Sequence, residues 1–187
     1  MKQRCAWVGS DEIYKNYHDY EWGVPVHDDK LMFEFLILEG FQAGLSWITI
    51  LKKRENFRKA FDGFNFNLIA EYTQEKLDLL MQDEGIIRNR LKINSTVINA
   101  QKYLKVQEEF GTFCNYIWGF VGHKPIINHW KNSCDVPAST ELSDKISKDL
   151  KKRGFKFVGS TIIYAHMQAV GIVMDHTTDC CCYPKAL

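Results

Sequence analysis

Apolar residues recur every three or four positions along most of the middle of the chain. That spacing lays one side of an α-helix against a core. DDKLMFEFLILEG (28–40) is apolar densely enough to predict a buried helix, opened by acidic residues and followed by glycine. GLSWITILKKRENFRKAF (44–61) predicts a second helix, apolar first and basic later. TQEKLDLLMQ (73–82) sets Leu77, Leu80 and Met81 at helical spacing behind Thr73 as a cap. RNRLKINSTVINAQKYLKVQEEFG (88–111) predicts a long helix ending at Gly111, and TFCNYIWGFV (112–121) a short one. STELSDKISKDLKKRG (139–154) carries Leu142, Ile146 and Leu150 on one stripe between Ser139 as N-cap and Gly154 as stop. STIIYAHMQAVG (160–171) is the last predicted helix. No run alternates with the two-residue period of a strand. The pattern predicts an all-α fold of roughly eight helices in one domain, 1–187. Its helical core spans about 27–172, and segments 1–26 and 173–187, both rich in Cys, His, Trp and Tyr, form an irregular annex.

Composition supports a folded chain: of 187 residues, 45% are hydrophobic and 13% aromatic, enough for a sizeable core. The longest apolar stretches are too short and interrupted to span a bilayer, and MKQRCAWVGS lacks the apolar run of a signal peptide. The expected compartment is the cytosol, where thiols stay reduced. Net charge is only +1, so bulk charge announces no polyanion partner. Yet 13 of the 24 Lys and Arg fall in three short runs, 51–59, 88–92 and 148–156. Each run can be a solvated helix face or part of a phosphate-binding surface.

The run LSDKISKDLKKRGFKFVGSTIIYAHMQAVG joins two predicted helices through the tight apolar connector FKFVG. An ordinary αα-hairpin would look the same. The Phe-Val-Gly segment also resembles the hairpin of helix–hairpin–helix DNA-binding modules. Gly159 and Ser160 would leave backbone N–H groups at a helix N-terminus, which suits a DNA phosphate, with Lys151, Lys152, Arg153 and Lys156 flanking it. Such contacts position without reading sequence.

The two ends carry candidate metal ligands. Cys5 and His18 lie near one end; His176 and Cys180 lie four apart near the other. Two thiolates and two imidazoles make a closed tetrahedral Zn²⁺ set of structural type. Paired C-x-x-C spacing is absent, and Cys181 and Cys182 compete with Cys180 for the role. Scattered thiols remain the plain alternative, and Cys114 and Cys134 look like core or surface thiols.

CAWVGSDEIYKNYHDYEWGVPVHD packs Trp7, Tyr14, Tyr17, Tyr20 and Trp22 close together. Such density is either ordinary core or a pocket that stacks a flat ring. In LEGFQAGLSW, Glu39 ends an apolar helix, where a carboxylate needs a partner, water or a task. The loop after it holds Gln42, Gly44 and Leu45, the last a candidate wedge for an opened base stack.

In order along the chain, CAW, NYHDYEWGVP, LEGFQAGLSWITILKKRENFRKAF, IIRNRLKI, LKKRGFKFVGSTI and DHTTDCCCYP closely resemble the bacterial 3-methyladenine DNA glycosylase I family, from about residue 4 to residue 184. The resemblance implies a helix–hairpin–helix DNA glycosylase fold with a zinc clasp joining the termini. It implies one structural Zn²⁺ held by Cys5, His18, His176 and Cys180. It implies that Glu39 hydrogen-bonds the damaged base, that Tyr17 and Trp47 flank it, and that Trp7, Tyr14 and Trp22 complete the pocket. The expected partner is double-stranded alkylated DNA, contacted at Gln42, Gly44, Leu45, Lys156, Gly159 and Ser160. The expected activity is release of 3-methyladenine by a monofunctional glycosylase, a monomer in the bacterial cytosol at the nucleoid, with no membrane and no nucleotide cofactor. Asp175 follows the hairpin, where many members of the wider superfamily place an Asp that stabilises the sugar cation. It adjoins a candidate metal ligand and is not given that role. The alternatives are a non-catalytic zinc-stabilised DNA-binding module and a zinc hydrolase, which would need an open coordination position.

Overall fold

The computed structural model describes residues 2–184; residues 1 and 185–187, which the expected annex included, lie outside the described residues. Nine α-helices are described: α1 (Glu12–Tyr20), α2 (Asp29–Gln42), α3 (Trp47–Ala60), α4 (Phe66–Ala70), α5 (Gln74–Leu80), α6 (Arg90–Phe110), α7 (Phe113–Gly119), α8 (Glu141–Lys152) and α9 (Ser160–Ala169). The all-α expectation is met. One short parallel pair, β1 (Ile126–Ile127) with β2 (Val173–Met174), was not foreseen; two residues are too few to show a period.

α2 is the axis of the core. Every residue from Met32 to Phe41 is buried, because neighbours pack on all its sides. Asp28 caps it by accepting from the Leu31 N–H. α9, α3, α6 and α7 pack around it. The boundaries differ from the sequence expectation where local chemistry decided them. α3 starts at Trp47 rather than residue 44, because Gly44 is left-handed (φ +82°) and Ser46 is the N-cap. α8 is capped by Thr140, not Ser139, through a reciprocal pair with Ser143. α6 starts behind Asn89, whose side chain accepts from the Lys92 N–H.

The segment expected to be irregular before residue 26 holds a helix. Asp11 caps α1, and Tyr17 and His18 are its buried residues. α1 is short and mostly polar, so its apolar stripe is only a few residues long. α8 and α9 pack against each other as the predicted hairpin, where Ser147 Oγ donates to Val158 O at 2.6 Å. Segments near the two ends meet: the Cys181 N–H donates to the Gln3 carbonyl at 2.8 Å, and the Val26 N–H to the Val170 carbonyl at 3.0 Å. At Gly171 (φ +71°) an added Cβ would sit 2.5 Å from Pro25 N, so only glycine lets the two segments touch. No helix among the described residues is long and apolar enough to cross a membrane.

Candidate active site and metal centre

α2 carries two buried carboxyls with opposite surroundings. Glu34 faces α3, where Arg54 Nε donates to it at 2.5 Å and Arg58 Nη2 at 2.8 Å. Arg54 also donates to Glu21 at the end of α1 and lies 4.9 Å above the Phe35 ring. This network ties α1, α2 and α3 together. Glu39, one and a half turns on, has no side-chain hydrogen bond among the described residues. It is 4% exposed, and burial alone pushes its pKa up to about 8.

Glu39 opens into a cavity of about 370 Å³ whose walls include Trp7, Tyr14, Tyr17, Trp22 and Trp47. The rings form one connected group: Trp7 lies 5.0 Å from both Tyr14 and Trp22, and Tyr17 lies 5.5 Å from Trp47. The structure therefore gathers all five expected pocket aromatics and Glu39 around one space. Tyr20, in the same run, is 69% exposed and takes no part. The Trp47 indole N–H is buried without a partner among the described residues. Burial, and then the Glu39 carboxylate, hold the Tyr17 phenol well above its usual range, so it stays a neutral donor.

Gln42 also lines the cavity, as do Gln168, Asp175 and Thr177, which were not expected there. Asp175 is 2% exposed and accepts from Asn128 Nδ2, Trp130 Nε1, Tyr164 Oη and Gln168 Nε2 at 2.6–2.8 Å. It anchors the segment after β1 to α9, and that convergence has no local pattern in the chain.

Behind the cavity, Cys5, His18, His176 and Cys180 are all buried, with candidate ligand atoms within 4.8 Å of one another. Cys5 Sγ is 3.6 Å from His176 Nδ1, and Cys180 Sγ is 3.4 Å from His18 Nε2 and 3.5 Å from His176 Nδ1. The remaining ring nitrogens are engaged: His18 Nδ1 with Asp19 at 2.8 Å, His176 Nε2 with the Trp22 carbonyl at 3.1 Å. Asp19 also accepts from Arg4 through two 2.8 Å bonds, and this guanidinium keeps its carboxyl well below the usual range. Burial lowers His176 to about 4 and raises Cys180 to about 12, so a cation is needed to draw out the thiolate. The group can hold a metal ion. Residues 176–180 converge through a turn, closed by Cys180 N to Thr177 O, and not through a helix. Cys181 is exposed, and Cys182 lies on the Nδ1 side of His18, 4.0 Å away, where it forms a smaller potential metal-holding group with His18 and Asp19. Cys180, Cys181 and Cys182 form another such group. Cys114 is buried and Cys134 exposed.

The basic runs are mostly engaged internally. In 51–59, Arg54 and Arg58 bind Glu34, Lys52 binds Asp11, and Lys53 donates to the Glu84 and Gly85 carbonyls. In 88–92, Arg88 and Arg90 pair with Glu84 and Asp78, and Lys92 is buried. Lys148, Lys151, Lys152 and Lys156 stay exposed around the hairpin. Gly159 caps α9, while the Ser160 hydroxyl is shared with Ser143 at 2.8 Å. Leu45 is 38% exposed, on a loop where Gln42 Nε2 donates to its carbonyl.

A model of the methyladenine glycosylase family matches residues 7–183. The chain is 50% identical to DNA-3-methyladenine glycosylase 1 of Escherichia coli (strain K12) over 182 residues, 97% of each chain. A crystal structure of 3-methyladenine DNA glycosylase I superposes with a TM-score of 0.94 at 50% identity, covering 97% of this chain and 100% of that one. A single-residue variant of such an enzyme, solved in complex with 3-methyladenine, superposes with a TM-score of 0.95 at 37% identity over 98% of this chain and 99% of that one.

Proposed function

The chain belongs to the methyladenine glycosylase family, and on that premise we propose that it hydrolyses the N-glycosidic bond of 3-methyladenine in alkylated DNA, releasing the base and leaving an abasic site. The observation that carries the reading is Glu39, a buried carboxyl without a partner among the described residues, facing an aromatic cavity. At about 370 Å³ that cavity is at the small end for ligand pockets.

Methylation at N3 makes the nucleotide's adenine cationic and weakens its bond to the sugar. The lesion leaves the stack at lower cost than a normal base. In the cavity its charge is attracted to the Trp and Tyr faces. It also supplies the counter-charge that burial withholds from Glu39, so the carboxyl ionises and accepts hydrogen bonds from the base. Neutral adenine brings no such charge, and the same pocket costs it a desolvated carboxyl instead. Water adds to C1′ as the C–N bond breaks. The methylated base leaves neutral without needing a proton, and the proton lost by the water goes to solvent. No lysine lines the cavity among the described residues, which supports hydrolysis without a Schiff base or strand cleavage.

The metal proposed is one structural Zn²⁺ on Cys5, His18, His176 and Cys180. A tetrahedral ion with bonds of about 2.3 Å to sulfur and about 2.0 Å to nitrogen separates S from N by roughly 3.5 Å. The S···N distances of 3.4–3.6 Å fit that geometry. The bound ion would tie residues near the two ends of the chain and leave no position to activate water. Elemental analysis of purified protein should find about one zinc per chain; protein prepared without chelators and free of metal would refute this part.

The proposed partner is double-stranded DNA, held at the hairpin by Lys156, Gly159 and Ser160 and opened at the Gln42, Gly44 and Leu45 loop. We place the enzyme in the bacterial cytosol at the nucleoid, acting as a single-domain monomer. The deciding experiment is Glu39→Gln, assayed for release of 3-methyladenine from methylated DNA. Loss of ~10²-fold or more is expected for a buried group that meets the transition-state charge. Full activity in a folded variant would remove Glu39 from the reaction.

A further inference from the structure

Leu45 and the hairpin come from segments more than a hundred residues apart. One buried face of α6 holds both. At one end Lys92, 7% exposed, donates from Nζ to the carbonyls of Phe41 and Ala43 at 2.8 and 2.7 Å. These carbonyls end α2 and begin the Leu45 loop. A cation suits them, since the helix dipole is negative there. At the other end Asn99, 3% exposed, bonds both sides of one residue in the hairpin. Its Nδ2 donates to Lys156 O at 3.0 Å, and its Oδ1 accepts from Lys156 N at 2.8 Å.

The anchors lie seven positions apart along the helix, about 10 Å at 1.5 Å per residue. The stretch between them is itself fastened: Ser95 and Thr96 hydroxyls donate to the Lys92 carbonyl at 2.6 and 3.0 Å. The held turn is a strained one. Phe157, next to Lys156, sits at φ +54°, rare for a bulky residue. α2 also rests on that turn, since a Cβ at Gly40 would lie 3.3 Å from Phe157 Cβ.

We propose that Lys92 and Asn99 are positioning residues: through them α6 sets the distance between the Leu45 loop and the hairpin, so that both engage one duplex together. The inference rests on the reading of those two segments as the DNA face. Neither residue lines the base cavity. The base pocket should therefore work without them, while the grip on a duplex should not.

The test uses full-length Lys92→Met and Asn99→Asp proteins with two probes. Free 3-methyladenine, followed by tryptophan fluorescence, reports the pocket. A duplex with one tetrahydrofuran abasic analogue reports the DNA face. Duplex affinity should fall tenfold or more in each variant while affinity for the free base stays within twofold. Leu45→Gly, measured beside them, tests the underlying reading. If it weakens duplex binding but either brace variant leaves it unchanged, the brace is overturned and the DNA face stands. If Leu45→Gly changes nothing, the face reading falls and the brace with it. Parallel loss of both affinities means general damage and also overturns the brace. Should Lys92→Met not fold, Asn99→Asp decides by the same criteria.

Discussion

Glu39 differs from Glu34 only in what faces it. Both are buried in α2, but Glu34 meets two guanidiniums and Glu39 meets a cavity. A carboxyl raised to about 8 keeps its proton in the folded state at pH values where the unfolded chain has released it. Folding stability is therefore lowered as pH rises from about 4.5, the ordinary value, to about 8. Glu39→Gln should remove that loss. The variant should gain ~1–3 kcal/mol of stability at pH 7 and nothing at pH 4, as urea unfolding at the two pH values would show. A stabler but less active variant is the expected signature of a group kept for chemistry. An equal effect at both pH values would deny the raised pKa.

At the scale of elements, the pocket depends on how α1, α2 and α3 are clamped. Arg54 is the clamp, joining Glu21 of the α1 end to Glu34 of α2 from the middle of α3. Arg54→Met should cost roughly 3 kcal/mol, the low end for breaking a buried pair, because Arg58 still faces Glu34. Affinity for free 3-methyladenine should drop as well, since Tyr17 and Trp47 sit on α1 and α3, which would then be joined by an ion pair only at the exposed Lys52–Asp11 end. Unchanged denaturation midpoints would show that the ion pairs are peripheral. The element scale is also where the chain was easiest to read. Dense apolar spacing marked α2, and the stripe of Leu142, Ile146 and Leu150 marked α8, because helices expose their period directly. α1 was not legible because its buried residues are Tyr17 and His18, adjacent positions that line the cavity and the Cys–His group respectively. The burial of Lys92 was legible in the sequence. The residue shares the spacing of Thr96, Asn99, Tyr103 and Val106, all buried, so it belonged to the stripe and not to a basic run.

For the whole molecule, the Cys5, His18, His176 and Cys180 group draws together segments near the two ends of the chain. Trp22 and Trp7 pack against His176 and His18, so one side of the base cavity leans on the cluster. Stripping the proposed zinc with a strong chelator should lower Tm by ~10 °C or more, given several kcal/mol from the ion. Cys180→Ser should do the same, whereas Cys181→Ser, an exposed thiol, should not. If both variants retain metal and Tm, a different thiol set holds the ion.

The chain by itself determined the helical period, the apolar axis in α2, the hairpin between α8 and α9, and the residue types of the pocket and cluster. Those are local or compositional, and helices and turns are specified by neighbours in sequence. Tertiary structure decided which acid was paired and which was left bare, which cations stayed in solvent, and that Asp175 gathers four donors. Each of these depends on partners brought together from distant segments, and burial and charge compensation exist only once those segments meet.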